Sequence, residues 1–298
     1  MWFNFNVMLP GFKTVAVIGR YNTAEIAESL LGLAELLQQR GCTVLIEKET
    51  AANIGRNGFA SADYAVIGER ADLAVVLGGD GSMLSAARYL AAHGVPLVGV
   101  NQGRLGFMTE IAFSQMRETI EMLLSGSYTV GERTMLEARV LRGEKEIFST
   151  QALNDIVVNK GSTGRMIEFL VHIDGQFVYD LRADGIIVAT PTGSTAYALS
   201  SNGPILQPNV PGIALVPVCP HTLSNRPITV SDRCVVEITI KQRAVGARLH
   251  FDGQPHAADL AANDRVIVSR AAHSIRFVHP PGYSYYAMLR EKLHWSEM

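Results

Sequence analysis

Apolar residues in the first 130 positions follow two alternating patterns. Short unbroken runs occur at Val15-Ala16-Val17-Ile18, Thr43-Val44-Leu45-Ile46, Leu73-Ala74-Val75-Val76-Leu77 and Pro96-Leu97-Val98-Gly99-Val100. They have the length and composition of strands buried on both faces. Between them, apolar residues recur at helical spacing. Ile26, Leu30, Leu33 and Leu37 fall at i, i+4, i+7 and i+11, and Gly41 stands where a helix would be capped. A second helix is predicted from Ser82 to about His93, closed by Gly94, and a third through Met116, Ile120, Leu123 and Leu124. Residues 47–70 show no clear period, only turn residues around Asn53 to Gly58. Strands separated by helices predict a parallel sheet with right-handed crossovers.

After about residue 131 the period changes to two. Ile167, Phe169, Val171 and Ile173 alternate with Met166, Glu168, Leu170 and His172, and Val236, Ile238 and Ile240 alternate with Val235, Glu237 and Thr239. Asp174-Gly175 and Asp252-Gly253 are hairpin signals, since a tight two-residue turn needs positive φ at both central positions. Arg265–Val268 and Ser274–Val278 read as further strands. The expected division is an α/β domain over 1–131, a β-rich domain over 132–276, and a segment over 277–298 whose helix, Tyr285 to Trp295, packs back on the first domain.

Charge narrows the partners. Across 298 residues, Lys plus Arg is 26 and Asp plus Glu is 28, a formal net charge of −2. A broadly basic nucleic-acid binder is excluded, as is an acidic disordered chain. The three cysteines, Cys42, Cys219 and Cys234, form no Cys-x-x-Cys pair, so neither a zinc ribbon nor a disulfide framework is expected and no residue is singled out as a metal ligand. The opening Met1-Trp2-Phe3-Asn4-Phe5-Asn6 lacks a basic stretch before its apolar residues, and no run is long enough to span a membrane. The expected location is the cytoplasm, with no membrane partner.

Several nucleotide motifs are missing. The first strand ends in Gly19-Arg20-Tyr21-Asn22-Thr23, with one glycine where a dinucleotide fingerprint needs three, and no Gly-x-x-x-x-Gly-Lys-Ser/Thr occurs. His-Arg-Asp and Asp-Phe-Gly signatures are absent too. The strongest local feature is Gly78-Gly79-Asp80-Gly81-Ser82, at the carboxyl end of an apolar strand and the start of a helix. In open α/β sheets ligands bind at that end of the strands. Gly78, Gly79 and Gly81 let the backbone approach a phosphate, and the helix N-terminus favours an anion. A carboxylate there would repel phosphate, so Asp80 makes chemical sense as the acceptor of a proton from an attacking hydroxyl. A tight turn with Asp80 as a helix cap accounts for the same residues.

Four further stretches offer polar groups at apolar boundaries. Asn154-Asp155 opens an apolar strand and suits paired ribose hydroxyls or an adenine edge, or is a plain turn. Thr190-Pro191-Thr192-Gly193-Ser194-Thr195 follows a buried strand and reads as a neutral clamp for an anion or sugar, or as a capped helix start. Tyr197 is placed to stack on a base or to fill the core. Cys219 to Pro227 is a polar loop bracketed by prolines, with His221 as a possible acid or base or a structural histidine. Arg104, in Asn101-Gln102-Gly103-Arg104-Leu105-Gly106-Phe107, is a candidate phosphate contact.

Taken together, these segments resemble the NAD kinase family in its ATP-dependent bacterial form. Gly78–Ser82 is similar to its Gly-Gly-Asp-Gly motif, Asn101–Phe107 to its Asn-x-Gly-x-Leu-Gly-Phe segment, and Asn154-Asp155 to its Asn-Glu/Asp motif. Thr190–Ser200 and Pro220–Pro227 resemble its remaining signature loops. The resemblance implies an α/β fold: an N-terminal Rossmann-like parallel-sheet domain, a C-terminal β-rich, β-sandwich-like domain, and a site between them. It implies transfer of the ATP γ-phosphoryl group to the 2′-hydroxyl of the adenosine ribose of NAD, giving NADP. It also implies a divalent cation, Mg²⁺, carried with ATP, and a homo-oligomer, tetramer or dimer.

By position, the resemblance makes Asp80 the base. Asp80 and Gly81 would contact NAD, and Asn154 and Asp155 would hold its adenosine side. Asp184 would lie near the nicotinamide amide. Tyr197 would stack near the adenine, with Thr195, Ala196, Ala198, Leu199 and Ser200 lining the pocket. Arg165, Arg182 and Gln254 would also contact the dinucleotide. An arginine at 182 is similar to the subgroup that prefers NAD to NADH. Two rivals share parts of the pattern. A lipid kinase has the same glycine tetrad, but no amphipathic basic stretch is present for membrane docking. A non-catalytic NAD(P)-binding sensor gains nothing from Asp80 beside phosphates.

Overall fold

The computed structural model describes every residue except 1–8, 10, 20–23, 56–57, 104–105, 163, 223, 243–245, 256–258 and 296–298. The chain opens with β1 (Thr14–Gly19), α1 (Ala24–Gln39), β2 (Thr43–Glu47), α2 (Lys48–Ile54), β3 (Ala60–Ala62), α3 (Tyr64–Arg70), β4 (Leu73–Gly78) and α4 (Asp80–Leu90). It continues through β5 (Leu97–Asn101), β6 (Ile111–Ala112), α5 (Met116–Leu124) and β7 (Thr129–Arg133). Strands β8 (Leu136–Arg142), β9 (Lys145–Ala152), β10 (Asp155–Asn159), β11 (Ile167–Ile173), β12 (Gln176–Ala183) and β13 (Gly185–Ala189) follow, then α6 (Tyr197–Ser200). The remainder is β14 (Gly212–Val218), β15 (Ile228–Ser231), β16 (Val236–Ile240), β17 (Arg248–Phe251), β18 (Gln254–Pro255), β19 (Arg265–Arg270), β20 (Ile275–His279) and α7 (Tyr285–Leu293). Two compact units emerge: Met1–Glu132 with Ser274–Met298, and Arg133–His273.

The first unit is built on one sheet in the order β3-β2-β1-β4-β5-β20-β7, with β6 also pairing β5. Strands β1 to β6 and β20 pair in parallel. Its central strands are continuous apolar runs because both faces are covered: β4 is buried at every residue. Helix α1 buries Leu30, Leu33 and Leu37, and Gly41 beyond its end has φ +83°. The chain turns from β1 toward β2 on one side and from β4 toward β5 on the other. The strand order therefore reverses between β1 and β4, whose carboxyl ends lie side by side with Gly19 opposite Leu77. That reversal is where open α/β sheets bind ligands.

Two expectations change here. The strand foreseen at Ser274–Val278 among the β-rich strands is β20, and it pairs with β5 in the first unit's sheet. A five-residue apolar run carries no record of which sheet it joins. The unreadable stretch 47–70 holds α2, β3 and α3, elements of three to seven residues, too short to establish a period.

The second unit is a β-sandwich. One six-stranded sheet runs β15-β14-β13-β10-β17-β18 and the other β12-β11-β16-β19-β8-β9, with antiparallel pairing throughout. Val140, Phe169, Ile238 and Val266 from one sheet and Ile156, Val158, Ile186 and Val188 from the other share one core. The opposite face of the β10–β13 sheet is also apolar. Val157, Ile187, Ala189 and Val216 are covered there by Ala198 and Leu206. Both hairpin signals form turns with paired positive φ, Asp174 and Gly175 at 49° and 76°, Asp252 and Gly253 at 48° and 74°.

Candidate active site

In the first unit, Gly78 ends β4, Gly79 is the N-cap of α4 and Asp80 is its first residue. A Cβ on Gly78 would stand 2.7 Å from Ser82 Oγ, so a side chain there would require the Ser82 hydroxyl to turn away. Gly79 and Gly81 are different. Both are exposed, neither has positive φ, and a Cβ on either would meet nothing within 4 Å. Among the described residues nothing accounts for their lack of side chains, whereas an anion approaching the first amides of α4 would.

The Asp80 carboxylate is fixed by the segment that follows β5. The Phe107 amide donates to Oδ2 at 2.9 Å and the Met108 amide to Oδ1 at 3.1 Å. The Thr109 hydroxyl donates to Oδ1 at 3.4 Å and itself accepts from Asn101 Nδ2 at 3.0 Å. Gly99 lets this segment fold back, since a Cβ there would overlap the Met108 carbonyl and lie 2.9 Å from Thr109 Cα. A carboxylate has about four acceptor directions. Among the described residues three donors reach Asp80, and only one of them reaches Oδ2. Among the described residues Oδ2 accepts from the Phe107 amide alone, which leaves capacity for a second donor such as a hydroxyl. Arg104, the candidate phosphate contact, lies outside the described residues.

In the second unit the Asn154-Asp155 pair is held by two other segments. Asp252 Oδ1 accepts from the Asn154 amide at 2.7 Å, and Oδ2 from the Leu153 amide at 3.1 Å. Thr190 donates its amide to the Asn154 carbonyl at 2.9 Å and its hydroxyl to the Leu153 carbonyl at 2.5 Å. Gly193 packs against the Asn154 backbone so closely that a Cβ would overlap its carbonyl. Asn154 is 9% exposed, and its side-chain Oδ1 has no partner among the described residues. A buried acceptor of this kind has the capacity to take a hydrogen bond from a water or a ligand. Burial first, and the Asp252 charge second, push the Asp155 carboxyl from its ordinary 3.8 up to about 7.

The other expected residues of this unit differ in setting. Tyr197 is 44% exposed at the start of α6; burial, then the charges of Cys219, Asp184 and Asp155, push its phenol up. Thr195, Ala196 and Leu199 are half-buried, Ser200 is exposed, and Ala198 points into the core. A cavity of about 420 Å³ opens beside them, lined in part by Ser200, Cys219, Thr222, Asn225 and Arg226. Asp184 forms a 2.8 Å ion pair with Lys160. Arg165, Arg182 and Gln254 are exposed, on or beside β11, β12 and β18. The hydroxyl clamp expected at 190–195 is not available as such: Thr190, Ser194 and Thr195 donate to the carbonyls of Leu153, Pro191 and Thr192. Short hydroxyl side chains next to a turn find their own backbone first.

Comparison with known proteins decides the family. The ATP-NAD kinase N-terminal domain matches residues 15–128 and the ATP-NAD kinase C-terminal domain residues 153–280. This chain belongs to the ATP-NAD kinase family. The NAD kinase of Aromatoleum aromaticum is 57% identical over 297 residues, covering 99% of this chain and 98% of its own. The NAD kinase of Azoarcus sp. is 56% identical, covering 97% and 98%. Among solved structures, yeast NADH kinase complexed with NADH aligns with TM-score 0.89 at 26% identity, over 97% of this chain and 89% of that one. An NAD kinase from Archaeoglobus fulgidus in complex with ATP shares the fold at TM-score 0.73 and 23% identity, over 94% and 98%.

In this ATP-NAD kinase family member, four sets of groups that hold the candidate segments and the strand ends were not legible in the sequence. The Phe107 and Met108 amides are backbone donors and leave no mark on residue identity. Asp252 was legible only as half of a hairpin turn, and Lys160 as an unremarked surface charge. Glu47 and Thr50 brace the end of β1. Glu47 accepts from the Glu49 and Thr50 amides at 2.9 Å, and Thr50 Oγ1 sits 2.9 Å from both Gly19 N and Gly19 O. The capping pattern of Glu47 lies in the stretch where no helix was readable. Among the described residues no group of three or more His, Cys, Asp or Glu is arranged to hold a metal ion, and no helix is long and apolar enough to cross a membrane.

Proposed function

We propose that this chain phosphorylates NAD with ATP at the 2′-hydroxyl of the adenosine ribose, with Asp80 as the general base. The ribose oxygen attacks the γ-phosphorus, the bond to the ADP oxygen breaks, and the hydroxyl proton passes to Asp80 Oδ2. The observation that carries this reading is the setting of Asp80. Among the described residues its carboxylate is fixed by three donors at the carboxyl end of β4, has capacity for a further donor on Oδ2, and is flanked by two exposed glycines whose Cβ positions meet no atom. Phosphoryl transfer asks a protein for positioning and charge neutralisation more than covalent chemistry. The amides of Gly79 and Gly81 supply part of the second.

The residues of the second unit hold the dinucleotide in this reading. Asn154 and Asp155 take the adenosine side, Tyr197 the adenine face, and Asp184 the nicotinamide amide. Arg165, Arg182 and Gln254 contribute at the margins. A divalent cation suits this donor set only as a companion of ATP. The glycine loop has one carboxylate, already the acceptor of three hydrogen bonds, so Mg²⁺ would be held mainly by phosphate oxygens and water. When bound it supplies charge neutralisation at the transferring phosphate. The reading extends to a homo-oligomer, dimer or tetramer, working in the cytoplasm; light scattering on the purified chain measures the first.

The deciding experiment is a coupled assay with ATP, Mg²⁺ and NAD, in which NADP is detected by an NADP-specific dehydrogenase, run on wild type and Asp80→Asn. Wild type is expected to turn over. The variant is expected to bind NAD by calorimetry while kcat falls about 10²–10⁴-fold, the usual contribution of a positioned base. Near-normal turnover in Asp80→Asn would refute the role given to that residue.

A further inference from the structure

Asp252 and Asp155 face one another across an antiparallel strand pair. Ile156 of β10 is opposite Phe251 of β17, which sets Asp155 opposite Asp252, and the Asp252 amide donates to the Asp155 carbonyl at 3.1 Å. Asp252 is the first residue of the turn beyond β17, and its charge acts on Asp155 to disfavour ionisation. Both are buried, at 4% and 8% exposure. Two like charges so placed oppose each other, yet the turn is built to present Asp252. Its φ is 48°, and its two oxygens take the Leu153 and Asn154 amides one each. The segment so held carries Asn154, whose buried Oδ1 is unpartnered among the described residues.

We propose that Asp252 is a positioning residue for dinucleotide binding: its carboxylate fixes the backbone that aims Asn154 and Asp155, and its charge, facing Asp155, makes binding depend on the Asp155 proton. The first half follows from the two hydrogen bonds, and Thr190 and Gly193 complete the same brace from the other side. The second half follows from the groups that surround Asp155. From the neighbouring strand β17 come Asp252 and, further along the same face, His250 and Arg248. From β13 come only Ala189 and Ile187. From α6 comes the Tyr197 phenol, which feels the Asp155 charge and is itself pushed toward neutrality. His250 is held below its ordinary value by burial and by Arg248, so it supplies little positive charge near neutral pH. Among the described residues Asp252 is therefore the principal charge acting on Asp155, and it disfavours ionisation there.

This inference rests on the reading that Asn154 and Asp155 hold NAD. The test compares wild type, Asp252→Asn and Asp155→Asn, measuring KM for NAD, KM for ATP and kcat from pH 5.5 to 9, with thermal melts over the same range. In Asp252→Asn one amide of the 153–154 pair meets an NH₂ group. KM for NAD is expected to rise about tenfold or more, with kcat and KM for ATP within about threefold, the pattern of lost uniform binding. The inflection of KM for NAD near neutral pH is expected to move to lower pH without returning to the ordinary carboxylate range, because burial remains. In Asp155→Asn, which keeps the amide clamp, that inflection is expected to vanish. A folded Asp252→Asn with unchanged KM for NAD, or an inflection that neither variant moves, overturns the proposal. Should Asp252→Asn not fold, persistence of the inflection in Asp155→Asn overturns it alone. If wild type does not phosphorylate NAD, the functional reading fails separately, and the melts still test the carboxyl pair.

Discussion

Gly106 lies against the Asp80 carboxylate with no room for a methyl group between them: a Cβ on Gly106 would overlap Asp80 Oδ1 and the Thr109 hydroxyl. The segment after β5 therefore serves Asp80 twice, by the amides it donates and by the side chain it omits.

Gly106→Ala is expected to displace either the carboxylate or the 106–109 segment. A shift on the order of 1 Å at a reacting group costs about 10²-fold in rate, and overpacking of this kind costs about 1–3 kcal/mol in stability. The expected result is a large fall in kcat with NAD binding retained, read by the coupled assay and calorimetry. Wild-type kcat in this variant would show that the contact does not position Asp80.

Gly79→Ala and Gly81→Ala should behave in the opposite way. Neither position has positive φ, and neither Cβ meets an atom within 4 Å. Gly81→Ala should hold or gain up to about 1 kcal/mol, because alanine narrows the unfolded ensemble, whereas Gly79→Ala should lose a few tenths to about 1 kcal/mol, because Gly79 is the N-cap of α4 and alanine caps poorly. If these glycines admit the ATP phosphates, KM for ATP should rise at least about tenfold in the same variants. Unaltered KM for ATP would reduce the glycines to a turn.

The sequence carried the strand-exit position of Asp80 because a glycine tetrad between an apolar run and a helix is a local pattern, complete within five residues. What fixes Asp80 was not local. The Phe107 and Met108 amides have no residue identity to read, and Gly99, which admits them, looked like one more position in a strand. Asp252 was visible, but a residue beginning an Asp-Gly hairpin is already explained by its turn, so nothing in its spacing pointed to residues 153 and 154, about a hundred positions away. The hydroxyls at 190–195 erred the other way. Their density suggested a ligand clamp, and the structure commits Thr190, Ser194 and Thr195 to nearby carbonyls. Side-chain chemistry legible in a sequence is capacity, and the fold decides how much of it is consumed internally.

Asp155 also predicts how stability varies with pH. Its carboxyl is raised from 3.8 to about 7 in the folded chain. Between those values the unfolded chain has lost the proton while the folded chain keeps it, so the folded state binds more protons and stability falls as pH rises. The loss is complete above about pH 7 and amounts to a few kcal/mol, roughly, at 1.36 kcal/mol per unit. Asp155→Asn should remove it, so the variant gains on wild type between pH 5 and pH 8 in denaturant melts. Parallel pH dependences in the two proteins would contradict the shift.

Lys160 pairs with Asp184. Its ammonium is 2.8 Å from Asp184 Oδ1, with both side chains about a third exposed. An ion pair in such a setting contributes at most about 1 kcal/mol, so Lys160→Met should melt within that margin of wild type. Its electrostatic effect on a ligand is another matter. In the proposed function Asp184 lies beside the nicotinamide, which is cationic in NAD and neutral in NADH. Removing the ammonium takes this counter-charge from the carboxylate and favours the cation. The ratio of kcat/KM for NAD to that for NADH should therefore rise about two- to fivefold, the span of about 0.4–1 kcal/mol that a partly screened charge provides. The rise should shrink as salt increases, because exposed charges are screened within about 8 Å at physiological ionic strength. A ratio that stays constant, or that moves toward NADH, would remove Asp184 from the nicotinamide end of the site.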